Sequence, residues 1–129
     1  MSTRYFEDVK IGDAIEYGSK TLTKDEIIAF AKKYDPQPFH IDEAAAKETI
    51  YGGIIASGWH TAAVTMRMMV DNMIDTKASL GSPGIDNLRW HKPVFPGDTL
   101  RVRSEVTGKK RSKSRPTMGT TFGKLEVFN

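Results

Sequence analysis

The strongest constraint on this chain is a long stretch of helical periodicity followed by a stretch of strict alternation. Trp59, Ala62, Ala63, Met66, Met69, Val70, Met73 and Ile74 recur at helical spacings and form one broad apolar face. Further on, Leu100, Val102, Ser104 and Val106 alternate with Arg101, Arg103 and Glu105, the period of a half-buried strand. A one-sided helix has to lay its face on something, and a one-sided sheet supplies the surface. The expected class is therefore α+β, with one long helix against an antiparallel sheet. Small and sulfur-containing residues on the helix suit such packing, and Ser57 is its expected N-cap.

The other segments fit this frame. Gly12-Asp13 reads as a turn before a strand from Ala14 to Leu22. Thr23 and Glu26 have the spacing of a capping box, and Ile27, Phe30, Ala31 and Tyr34 then mark one buried helix face. That helix must stop near Asp35, because Pro36 disfavours the helical conformation of the residue before it. A second short helix is expected after Asp42, running to Glu48. Gly84 to Val94 and Met118 to Phe128 read as further strands, with Gly123 a bulge and Pro96-Gly97-Asp98 a turn. The 129 residues fit a single domain, 1–129, with no internal repeat or linker.

Composition removes several classes of function. No apolar run approaches the roughly 20 residues that cross a bilayer, and Met1 to Lys10 has no signal-type apolar stretch. The expected location is the cytoplasm, with no membrane partner. The chain has no cysteine, which excludes a disulfide framework, a thiolate metal site and a cysteine nucleophile. Its three histidines lack metal-ligand spacing, and no nucleotide-binding glycine motif is present. The net charge of +3 is concentrated where Lys109, Lys110, Arg111, Lys113 and Arg115 fall within seven residues. A solvated hairpin loop is the simpler reading, and an anion contact, as with the phosphates of a CoA-type substrate, is the functional one. No aromatic residues interleave with these charges, so nucleic acid is not expected.

The chemically informative stretch runs Phe30-Ala-Lys-Lys-Tyr-Asp-Pro-Gln-Pro-Phe-His-Ile-Asp42. Asp35 and His40 lie five residues apart across a segment stiffened by Pro36 and Pro38. A carboxylate and an imidazole held within reach of one water can activate it or return its proton. By spacing alone, Asp35 could equally be a helix terminator and His40 a satisfied structural residue.

The stretch resembles the hydratase signature of the MaoC-like family, which runs aromatic, Ala, two or three variable residues, Asp, x, Asn, Pro, aliphatic, His, x, Asp. Phe30, Ala31, Asp35, Pro38, His40 and Asp42 match it. Gln37 stands where the pattern has Asn and carries the same amide on a longer arm. The resemblance continues through Gly53-Ile-Ile-Ala-Ser-Gly58 and Leu88-Arg-Trp-His-Lys-Pro-Val-Phe-Pro-Gly-Asp98, and so spans nearly the whole chain.

This resemblance implies a hot-dog fold, a curved antiparallel sheet wrapped around a long central helix, paired into a homodimer or higher homo-oligomer. It implies a hydratase or dehydratase acting on an acyl thioester, carried by CoA or an acyl-carrier protein, with no separate cofactor and no metal. Asp35 and His40 would hold the water. The backbone N–H of Gly58, at the head of the long helix, would meet the charge that develops on the thioester oxygen. Gln37, Ser57, Trp59, Lys109, Lys110 and Arg111 would contact substrate. Trp59 is otherwise core packing, His60 a surface or packing residue, and His91 has no assigned part. The family normally makes a turn and adds a last strand where this chain stops at Glu126-Val-Phe-Asn129, so a longer natural chain or a lost strand is expected.

Two rivals remain. A thioesterase of the same fold usually needs a carboxylate near the thioester carbonyl, and the first acidic residue after Gly58 is Asp71, more than three turns along the helix. A non-catalytic binding or assembly subunit is the other, since fold does not fix function.

Overall fold

The computed structural model describes residues 5–74 and 79–129. The first helix, α1 (Lys24–Tyr34), begins where its capping box dictates: Thr23 accepts from the Glu26 N–H, and the Glu26 carboxylate accepts from the Thr23 N–H. It ends on Asp35, whose N–H reaches Ala31 O, just ahead of Pro36. The Asp-Pro-Gln-Pro segment is not all loop. Pro38 sits at the first position of a single helical turn, α2 (Pro38–Ile41), where its missing N–H costs nothing and its fixed φ is already helical. Asp42 then caps α3 (Glu43–Lys47) through the Ala45 N–H. Ser57 caps the long helix α4 (Gly58–Asn72).

Three antiparallel strands form one sheet in the order β1 (Ala14–Thr21), β2 (Thr99–Arg111), β3 (Gly119–Phe128). The alternation in β2 holds: Leu100, Val102 and Ser104 face inward and are buried. The bulge expected at Gly123 lies across from it, in β2, where the register slips between Val106 and Gly108. A second slip, in β1 between Tyr17 and Lys20, contains Gly18 at φ 84°. That residue lets β1 press against α4: a Cβ at Gly18 would sit 2.5 Å from Met68 Sδ. Leu22, Ile27, Ala46, Ile54, Ala56, Met68, Val94, Leu100 and Val102 close the core between helices and sheet.

Four expectations need correcting. Gly84 to Val94 forms no strand; among the described residues no neighbouring strand pairs with it, and Ile85 and Leu88 are left exposed. The α4 face that turns inward carries Ser57, His60, Thr65 and Met68, while Trp59, Met66 and Val70 are exposed. Thr65 can be buried because its hydroxyl donates to Thr61 O at 2.7 Å. Tyr34, one turn beyond the buried part of α1, points to solvent. Lys109, Lys110 and Arg111 belong to β2 rather than to a hairpin loop, which begins after them.

Candidate active site

The end of α1, the turn α2 and the head of α4 converge on one carboxylate. Asp35 Oδ1 accepts from Gln37 Nε2 at 2.6 Å, and Oδ2 accepts from the Ser57 hydroxyl at 2.7 Å. His40 Nε2 lies 3.2 Å from the same Oδ2. Two of these partners are fixed by burial, since Ser57 is wholly enclosed and His40 nearly so. The proline-stiffened segment thus brings Asp35, Gln37 and His40 together, and α4 adds Ser57.

The tautomer of His40 follows from its other nitrogen. Nδ1 is 2.6 Å from Ile55 O, a group that only accepts, so Nδ1 must carry a hydrogen. Nε2 then faces a carboxylate oxygen at 3.2 Å, which places the two groups to pass a proton between them. Of about four lone-pair positions on the two Asp35 oxygens, Gln37 and Ser57 take one each and His40 faces a third; Oδ1 has no second partner among the described residues. Gln37 first, and then Ser57 and His40, hold the Asp35 carboxyl below the usual carboxylate range, against the opposing effect of partial burial.

At the head of α4 the Trp59 N–H is capped by Ser57 Oγ, and the N–H groups of His60 and Thr61 reach Ser57 O. The Gly58 N–H makes no hydrogen bond among the described residues. It is a free donor on a positive helix end, one residue from the serine that touches Asp35.

The chain matches the model of the MaoC like domain over residues 6–127. It belongs to the MaoC-like family. The solved MaoC-like dehydratase of Rhodospirillum rubrum superposes with a TM-score of 0.90 at 38% identity, over 98% of this chain and 86% of that one. An uncharacterised protein of Bacillus subtilis, YdeM, is 30% identical over 95% of this chain and 86% of its own length. The (R)-specific enoyl-CoA hydratase of Rhodospirillum rubrum is 31% identical over 91% of this chain and 79% of its own. The fold is accordingly the hot-dog fold, with α4 as the central helix of this MaoC-like domain.

The other residues expected to contact substrate have protein partners or are exposed. Lys109 Nζ donates to Phe6 O at 3.1 Å and Val9 O at 2.8 Å. Arg111 pairs with Glu7 at 2.9 Å and also donates to Pro116 O. These cations hold the N-terminal segment to the sheet. Lys110 is exposed. Trp59 is 59% exposed, so the core-packing expectation fails; its ring meets Trp90 edge-on, with centroids 5.3 Å apart.

His60 is the residue that the periodicity hid. It is buried and stacks on Phe30 with centroids 4.6 Å apart and planes within 7°. Its Nδ1 has no hydrogen-bond partner among the described residues. Burial holds its imidazole below the ordinary histidine value of 6.5; the nearby Glu26 opposes this and Lys20 adds to it. The unfolded chain therefore takes up a proton near that value while the folded chain does not, so stability falls as pH drops below about 6.5 until the folded imidazole also titrates. His60→Leu is expected to add about 1 kcal/mol near neutrality by removing an unsatisfied polar atom, and to lose less stability on acidification. Urea midpoints at about pH 7.5 and about pH 5 check this, and equal losses in both proteins would contradict it.

Proposed function

We propose that this MaoC-like domain is a hydratase or dehydratase that adds water to, or removes it from, an enoyl or 3-hydroxyacyl thioester on CoA or an acyl-carrier protein. The observation that carries the reading is the Asp35–His40 pair, 3.2 Å apart, with Gln37 and Ser57 fixing the carboxylate. The hydratase name of a relative, matched over most of both chains, supports the substrate class.

In the hydration direction, a water seated on Asp35 and near His40 Nε2 places its oxygen on the β-carbon. Its proton passes to the pair, and a proton from the pair goes to the α-carbon. Negative charge gathers on the thioester oxygen between these steps, where the free Gly58 N–H and the α4 dipole stabilise it. No thioester bond breaks. Loss of the conjugated enoyl-thioester absorbance of crotonyl-CoA, or of a longer enoyl homologue, without release of free thiol, is the expected result. Thiol release would instead make the protein a thioesterase, and no change with any chain length would make it a binding subunit.

The reading carries a homodimer with it. Met66 and Val70 on α4, and Phe122 and Leu125 on β3, are exposed apolar side chains of the kind that a second copy would cover. Light scattering is expected to give twice the 14.4 kDa chain mass or a multiple of it. A monomer at micromolar concentration would remove this part.

A further inference from the structure

Trp90 lies on a segment without regular structure and takes no part in the steps above, yet it grips the head of α4 in two ways. Its indole Nε1 donates to Gly58 O at 3.0 Å. The same ring lies over the Gly58 Cα, where a Cβ would come 2.3 Å from Cε2 and 2.6 Å from Cδ2 and Nε1. Gly58 has no positive φ, so glycine is needed there for close approach rather than for conformation. Trp59 meets the indole edge-on and braces it.

A glycine in the first turn of a helix is the softest backbone available, and a soft donor is a poor one for a developing oxyanion. The missing side chain admits an indole, and the indole returns the lost stiffness from outside. It restrains the carbonyl, while the Gly58 N–H makes no hydrogen bond among the described residues. We propose that Trp90 is a positioning residue, which holds the Gly58 Cα and carbonyl, limits rotation about the two backbone bonds at that Cα, and so keeps the Gly58 N–H on the preceding peptide aimed at the thioester oxygen. The proposal rests on the hydratase reading for what Gly58 meets, but not for how Gly58 is held.

Two linked experiments test it. Trp90→Phe keeps a ring and removes the donor; Trp90→Ala removes both. The expected result is a kcat for enoyl-thioester hydration about tenfold lower in Trp90→Ala and intermediate in Trp90→Phe, with KM within about twofold of wild type. The second experiment places Gly58→Ala in two backgrounds. Beside Trp90 the new methyl collides with the ring, and the melting temperature is expected to fall by more than about 5 °C. In the Trp90→Ala background the same change is expected to be neutral or stabilising, because alanine favours a helix over glycine. An unchanged kcat in Trp90→Ala, a change in KM alone, or an equal loss from Gly58→Ala in both backgrounds would each overturn the proposal. A wild-type protein that turns over no enoyl thioester refutes the hydratase reading by itself, and the change of sign between backgrounds still decides whether Trp90 holds Gly58.

Discussion

Asp35→Asn is expected to lower kcat for crotonyl-CoA hydration by about 10²- to 10⁴-fold, the range for losing a positioned acid–base group. Asn keeps the shape of the side chain, but its amide nitrogen would face either the Gln37 donor or the Ser57 and His40 donors, and it cannot take a proton from water. His40→Ala should cost as much in rate. It also leaves Ile55 O without its partner inside the protein, so its folding should be checked by circular dichroism. Because both groups act through one water, the double variant should be about as slow as either single one, rather than slower by the product of the two losses. The pH profile adds a sign. Gln37 is the largest influence holding Asp35 below the usual carboxylate range, so Gln37→Ala should move the acid limb of kcat/KM to higher pH. Steady-state kinetics from about pH 4 to about pH 9 would show it. Wild-type rates in either single variant would take the pair out of the reaction, and an unmoved acid limb would detach Gln37 from it.

What the sequence disclosed depended on how local the cause was. The capping box of α1, the stop at Pro36, the Asp42 cap and the alternation of β2 each arise within a few residues, and each stands in the structure. Asp35 and His40 were visible for the same reason, being joined by a short, stiff segment. The face of α4 was misread because its inward stripe includes Ser57, His60 and Thr65. Ser57 is paired with Asp35 and Thr65 with a backbone carbonyl, while the His60 ring stacks on Phe30 with one nitrogen unpartnered among the described residues, and a hydropathy pattern contains none of this. The segment 84–94 shows the opposite error. Its residues suit a strand, but a strand exists only where another lies alongside to pair with it. Lys109, for which the sequence offers a solvated loop or an anion contact, has as partners two carbonyls about a hundred residues earlier in the chain. Trp90 left one legible trace, a glycine in the first turn of a long helix, whose cause lies 32 residues further on.

The meeting of β1 with α4 can be tested by comparing two glycines. Gly12 and Gly18 both have positive φ, 95° and 84°, so alanine at either position carries the left-handed strain of about 1–2 kcal/mol. They differ in what surrounds them. Nothing lies within 4 Å of a Cβ at Gly12, whereas one at Gly18 would be 2.5 Å from Met68 Sδ and 3.1 Å from its Cγ. Met68 is buried on the inward face of α4, so it cannot swing into solvent without emptying part of the core. Gly12→Ala should therefore cost the strain alone. Gly18→Ala should cost that strain and a further 1–3 kcal/mol, about the usual cost of overpacking a core. Urea denaturation of both variants reads the difference directly as a shift in midpoint at unchanged slope. Met68→Ala supplies the coupling: the two changes together should destabilise less than the sum of each alone, since the second methyl fills space that the first substitution opened. Equal losses at Gly12 and Gly18 would mean that β1 does not press on the helix there. Simple additivity with Met68→Ala would mean that some other neighbour sets the spacing between α4 and the sheet that encloses the site.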